Sequence, residues 1–254
     1  MIRRTRSAGL LFGTLAWLAL WSAACGGDSR TPVSPTTTPA PINIRHVIEA
    51  LFLGSGPLIP SDNFTACSNP GLWNAFPRGT TVRVLVSTTV SAGTFAAIQN
   101  AANQVALATN GQITTDVQTV ADANPLPATN EVTTTTHPSP SSQGCVDDIG
   151  CTIHTWISPG VFVSSRALLP PSQTVNAYVH DAIGHGILGM CHIDGALIGG
   201  PSGSLMSGGP GVFSNQIALQ LTGLDIQAIQ AVYASSLSPG AGRAEFVAAG
   251  LIDP

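Results

Sequence analysis

The amino-acid sequence predicts an α+β fold with a mixed β-sheet and one long crossover helix early in the chain. Thr81–Val86 alternates polar and apolar residues, as a strand with one buried face does. Ser91–Asn110 then places its apolar residues on one helical stripe, and Gly111 follows at the position where a helix commonly ends. A long helix directly after a strand therefore predicts the crossover.

The other elements are short and are separated by turn residues. In chain order they are a helix at Ile44–Phe52, strands at Ile113–Val120, Glu131–Thr136, Cys151–Ile157 and Val161–Leu169, a helical segment at Asn176–Gly189, a glycine-rich loop at Gly195–Gly211 and a helix at Thr222–Ala234. The last helix has the clearest beginning, because Thr222 and Asp225 form a capping-box pattern.

The N-terminal residues 1–24 have the features of an export signal. Three arginines precede the apolar or small stretch Ala8–Ala24, which leads into Cys25. This arrangement resembles a bacterial lipoprotein signal, which is cut before the cysteine so that the cysteine carries the lipid. An ordinary signal peptide and a retained membrane anchor are the alternatives, although the stretch is short for a spanning helix. We expect an exported cell-envelope lipoprotein held at the membrane through Cys25.

Composition divides the rest of the chain. Residues 25–43 are rich in proline, threonine and serine, so they predict an extended tether. We expect a folded, monomeric domain at 44–238 and a tail of mostly small residues at 239–254. The net charge is −4 and lysines and arginines do not cluster, which makes nucleic acid an unsuitable partner.

Four cysteines remain after Cys25, and an even number in an exported chain predicts two disulfides. Cys145 and Cys151 are near enough in sequence to close a short loop, which leaves Cys67 to pair with Cys191. The alternative is a buried free thiol at Cys191.

Three of the six histidines, His180, His185 and His192, lie within thirteen residues: H-D-A-I-G-H-G-I-L-G-M-C-H. Imidazole nitrogen is a common zinc ligand, and three such ligands with a water form an open catalytic site. The cluster therefore predicts a Zn²⁺ site. We expect a structural role for His154, which falls on a strand, while Asp194 could accept a hydrogen bond from a ligand imidazole.

This stretch resembles the metzincin signature H-E-x-x-H-x-x-G-x-x-H. Ser204-Leu205-Met206-Ser207 resembles the Met-turn of the same family, and L-T-G-L-D-I-Q-A-I-Q-A-V-Y resembles the closing helix of matrixin-like peptidases. The resemblance implies a metzincin-like fold with a histidine-bearing active-site helix, in which Met206 packs beneath the metal. It also implies a zinc-dependent metalloendopeptidase whose protein or peptide substrate lies along an edge strand near Cys151–Leu169.

The first spacing departs from the family pattern. His180 and His185 are five residues apart, a rotation of about 140° on a regular α-helix, whereas the family's four-residue step gives about 40°. Either a one-residue π-bulge absorbs the extra residue, or His180 is not a ligand and Asp181 takes its place. Gly189 and His192 also come one residue later than the family spacing.

The family's general base is a glutamate directly after the first histidine, and none of the three glutamates here lies near the cluster. The bulged alignment places Asp181 in that position as the catalytic residue. The ungapped alignment places Ala182 there and leaves no base. Loss of a base costs on the order of 10²–10⁴ in rate. The alternative function is therefore a catalytically inactive binding lipoprotein with a metzincin fold.

Overall fold

A computed structural model of the chain describes residues 41–60, 69–208 and 217–254. The predicted export signal, Cys25, most of the predicted tether and Cys67 lie outside these residues. Within the described part of the chain, no helix is long and apolar enough to cross a membrane.

Five α-helices and five longer strands make up the described fold. They are α1 (Ile44–Leu53), β1 (Thr80–Ser87), α2 (Ala92–Ala108), β2 (Ile113–Val120), β3 (Glu131–Thr136), β4 (Cys151–Ser158), β5 (Val161–Leu169), α3 (Val175–Val179), α4 (Gly223–Ala234) and α5 (Arg243–Ala248). Two-residue strands β6 (Ile193–Asp194) and β7 (Ser207–Gly208) form a separate small pair. The α+β prediction is confirmed.

The five longer strands form one sheet in the order β2-β1-β3-β5-β4. β1 is parallel to both β2 and β3, and β3 is parallel to β5. β4 runs antiparallel to β5 and lies at one edge of the sheet. The sheet is thus mixed, as predicted, and α2 is the crossover between parallel β1 and β2.

The core extends into the C-terminal segment 239–254, which the sequence predicted as a tail. This segment contains α5, and Phe246 and Ile252 are almost fully buried. The Phe246 ring packs edge-on against Trp73, and Arg243 pairs with Glu49 of α1. The segment is therefore docked on the domain by apolar packing and by an ion pair.

Two local predictions about covalent and capping chemistry hold. Thr222 and Asp225 form the capping box at the start of α4. Cys145 and Cys151 form a disulfide. Cys191 is also disulfide-bonded, which excludes the free-thiol alternative; its expected partner, Cys67, lies outside the described residues.

Candidate metal centre

The histidine-bearing helix changes from α to π geometry at His180. The π-turn, defined here as His180–His185, follows α3 without a break. The backbone N–H of Gly186 donates to the carbonyl of Asp181 at 2.8 Å, five residues back. In a π-turn, residue i+5 takes the place that i+4 has in an α-helix. The five-residue spacing therefore places both histidines on one side, which is the first of the two predicted alternatives.

Glycine ends this helix at the point where the chain turns towards the third histidine. Gly189 has φ +60°, a conformation that residues with a side chain rarely adopt. A Cβ at this position would also lie 1.9 Å from the carbonyl oxygen of Asn74. Only glycine therefore permits the close approach of these two backbones.

Two backbone hydrogen bonds hold the segment that carries His192. The N–H of Cys191 donates to the carbonyl of Leu51 in α1, and the N–H of Asp194 donates to the carbonyl of Leu58, each at 2.7 Å. Both sides of His192 are thus attached to α1 and the turn after it, which fixes the third imidazole relative to the helix.

The three histidines form a compact, buried triangle. Ring centroids are 4.6 Å apart for His180 and His185, 4.8 Å for His180 and His192, and 5.0 Å for His185 and His192. One ring nitrogen from each residue can be chosen so that all lie within 4.8 Å of one another. Together these three residues could hold a metal ion.

The hydrogen bonding of His185 prepares one nitrogen for a metal. Its Nδ1 lies 2.7 Å from the carbonyl oxygen of Met190, which can only accept, so Nδ1 carries the proton. The lone pair is then on Nε2, which lies 3.1 Å from Nε2 of His192. Two ligands on one tetrahedral zinc ion are about 3.3 Å apart, given a Zn–N bond of about 2.0–2.1 Å. The spacing of this pair of nitrogens therefore fits such an ion.

Burial also favours the metal-binding form of His185. It lowers the pKa of this imidazole to about 4, with a further contribution from the charge of His180. His185 is therefore neutral at pH 7, and only a neutral imidazole can coordinate a metal.

Met206 lies directly beneath the π-turn. A Cβ on Gly184 would lie 2.1 Å from the Met206 sulfur, so the sulfur packs against the backbone of the turn. A Cβ on Gly208 would likewise lie 2.9 Å from Cβ and Cγ of His192. These two glycines, which sequence reasoning did not single out, let the Met206 loop approach both parts of the cluster. The sequence signal that could have identified Gly184 is a glycine within an otherwise apolar helix.

Asp225 holds the Met206 loop against α4. Its carboxylate accepts from the Ser204 hydroxyl at 2.5 Å and from the Leu205 N–H at 2.8 Å, as well as from both donors of Thr222. Burial raises the pKa of this carboxyl above its usual range, although these donors oppose the effect. The sequence indicated only the helix cap, since the loop contact joins distant parts of the chain.

Asp181 is buried next to the cluster but is not one of the three candidate ligands. Its Oδ1 accepts from the Thr152 hydroxyl at 2.9 Å, and its Oδ2 lies 3.9 Å from Nδ1 of His180. Burial raises the pKa of this carboxyl, but His180, His185 and Thr152 together lower it further, so the pKa falls below its usual value. Asp181 is therefore an anion at neutral pH.

Two other polar residues have local partners. Asp194 accepts from the N–H of Ala196 at 2.9 Å and caps a short 3₁₀ turn. His154 stacks on Phe162 with 4.1 Å between ring centroids, and its Nδ1 lies 2.8 Å from the Ser165 hydroxyl. These contacts agree with a structural role for both residues.

No model of a known protein family, no curated protein and no solved structure matches the chain. The fold and the site define the class as an α+β protein with a three-histidine candidate metal centre.

Proposed function

We propose that this protein is a zinc-dependent metalloendopeptidase of the metzincin type. The observation that carries the proposal is the π-turn, which brings His180 and His185 together with His192 in spite of their unusual spacing. The packing of Met206 beneath that turn supports the same conclusion, because the Met-turn resemblance implies this position.

Zinc is the metal that suits this donor set best. Three imidazoles without a thiolate leave a fourth position open, and this is the ligand pattern of catalytic rather than structural zinc sites. A bound zinc ion would supply Lewis acidity, which polarises a peptide carbonyl and lowers the pKa of a coordinated water. His185 would be a firmly oriented ligand, because its other nitrogen donates to Met190.

Asp181 is the group placed to handle the proton in peptide hydrolysis. It is anionic, it is buried, and it directly follows the first histidine of the cluster. An extended protein or peptide substrate would pair with β4, the edge strand beside the π-turn. In this proposal the chain is exported and attached to the cell envelope through a lipidated Cys25.

One observation favours a second candidate, a catalytically inactive binding lipoprotein. An aspartate is one methylene shorter than the glutamate of the metzincin signature, and here one of its oxygens is already engaged by Thr152. A carboxylate that cannot reach the reacting water would leave a metal-binding fold without turnover.

Zinc content and proteolysis, measured on the same preparation, test the proposal. We expect about one zinc per chain after reconstitution and cleavage of denatured protein substrates that a chelator abolishes. His185→Ala should lose both, whereas His46→Gln, a control in α1 away from the cluster, should lose neither. Zinc without cleavage across many substrates would favour the binding protein. Failure to bind zinc would contradict both versions of a metal-dependent function.

A further inference from the structure

Thr152 lies on β4 directly after the Cys145–Cys151 disulfide, and its side chain contacts the π-turn. The hydroxyl oxygen is 2.9 Å from Oδ1 of Asp181 and 3.0 Å from the backbone oxygen of the same residue. A hydroxyl has a single hydrogen to donate, and an ionised carboxylate is a stronger acceptor than a carbonyl. The hydrogen bond therefore goes to Oδ1.

We infer that Thr152 is a positioning residue that ties the Asp181 carboxylate to the edge strand and presents its second oxygen to the metal centre. Oδ2 lies on the side of the cluster, 3.9 Å from Nδ1 of His180. With Oδ1 bonded to Thr152, the short side chain is held in one orientation. The catalytic part of this inference rests on the proposed function, but the contact itself does not.

The backbone around Thr152 is well placed to act as a rigid support. Gly150 has φ +116°, and a Cβ there would lie 2.8 Å from the carbonyl oxygen of Leu168. Cys151, which is disulfide-bonded, pairs with Leu168 of β5, and Thr152 pairs with Ala167. The strand cannot shift at this point without breaking either the disulfide loop or its pairing with β5.

The position of β4 gives this support a consequence for substrates. β4 is an edge strand, so its outer side is the side on which an extended peptide can add. Thr152 would then contact the peptide through its backbone while its side chain holds the base. A peptide that pairs with β4 is in this way brought into register with the Asp181 carboxylate.

The first test needs no activity. The variants Thr152→Val, Asp181→Ala and the double variant are compared by urea unfolding of the zinc-free protein. Valine has the shape of threonine but lacks the hydroxyl. A hydrogen bond to a charged group should couple the two sites by about tenfold or more in the unfolding equilibrium constant. If the two substitutions change the unfolding equilibrium constant independently, with a coupling below about twofold, the inference is overturned.

The second test measures turnover with zinc content checked for each variant. Thr152→Val should lower kcat by about 10–100-fold with little change in KM or zinc content, because the base is misplaced while the ligands remain. Thr152→Ser, which keeps the hydroxyl, should restore kcat to within about threefold. The matched control is Thr119→Val, an exposed residue on β2 at the opposite edge of the sheet, which should behave like the unchanged protein.

The two tests separate this inference from the proposed function. An active protein whose Thr152→Val variant keeps its kcat would overturn the inference and leave the peptidase proposal intact. If the unfolding cycle shows coupling but the wild-type protein shows no zinc-dependent cleavage, the peptidase proposal is refuted. The contact between Thr152 and Asp181 is then retained. A serine variant no better than the valine variant would refute positioning by the hydroxyl.

Discussion

The contact between Gly184 and Met206 allows a quantitative test of how the π-turn is supported. A methyl group at Gly184 would lie 2.1 Å from the Met206 sulfur. Ordinary contacts of this kind are near 3.6 Å, so the sulfur or the turn would have to move by about 1.5 Å. Met206 is fully buried, and a displaced sulfur would push into the core.

Gly184→Ala should therefore cost about 1–3 kcal/mol of unfolding free energy, as overpacked cores do. Met206→Ala should cost about 2–5 kcal/mol through the cavity that it leaves. In the double variant the new methyl group occupies part of that cavity. The combined cost should consequently fall short of the sum by about 1 kcal/mol or more.

The assay is urea unfolding of the zinc-free protein, followed by zinc content at neutral pH. Gly184→Ala should also reduce zinc retention, because the displaced turn separates His180 from His185. Gly223→Ala is the matched control, since a Cβ at the first residue of α4 meets nothing within 4 Å. The reasoning would be refuted if the unfolding costs of Gly184→Ala and Met206→Ala were additive in the double variant. It would also be refuted if Gly184→Ala were as stable as this control.

Three further predictions concern the same site. The pKa of His185 lies below its unfolded value of about 6.5. The metal-free protein should therefore lose about 3 kcal/mol of unfolding free energy as pH falls from about 6.5 to about 4. A His185→Gln variant with the same pH dependence of unfolding would contradict this. Gly189→Ala should abolish zinc retention, because its methyl group would collide with Asn74; normal zinc content would count against that. Replacing Cys145 and Cys151 by serine should lower the unfolding free energy by about 2 kcal/mol, measured by thermal or urea unfolding, and leave zinc content unchanged. Zinc loss would show instead that the loop supports the ligands directly.

Strand positions were the most predictable part of the molecule. β2, β3 and β5 begin and end at the predicted residues, and the bounds of β1 and α2 differ by no more than two residues. Alternation along a half-buried strand, and glycine where the chain must turn, are local signals that the sequence carries directly. The docking of α5 had no such signal, since two apolar residues among small ones do not form a pattern.

The candidate site was predictable in composition but not in geometry. The sequence indicated the three histidines and Asp181, and it limited the spacing problem to two alternatives. Choosing between them requires the backbone hydrogen bonds of the turn, which no pattern of residue types reports. The role of Thr152 could not be predicted from the sequence for a related reason, because its contact with Asp181 joins residues 29 positions apart.

The histidine segment departs from the metzincin signature at two places. The first is the extra residue between His180 and His185, and the second is the late position of Gly189 and His192. The π-turn absorbs the first. After it, the N–H of Leu188 donates five residues back and that of Met190 donates six residues back, to Gly184, whereas that of Gly189 donates four residues back, as in an α-helix. Each wide turn accommodates one more residue than an α-turn without changing the side to which the chain returns.

The edge strand compensates for the short side chain of the base that we propose at position 181. Asp181 lies within the π-turn, where its carbonyl accepts from the N–H of Gly186 and its carboxylate accepts from the Thr152 hydroxyl. The edge strand thus contacts the turn at the residue next to the first ligand. In the proposed peptidase, a side chain one methylene shorter than glutamate would depend on that strand for its placement. We therefore expect the candidate ligands and the proposed base to respond to different substitutions, the ligands to Gly184 and Met206 and the base to Thr152.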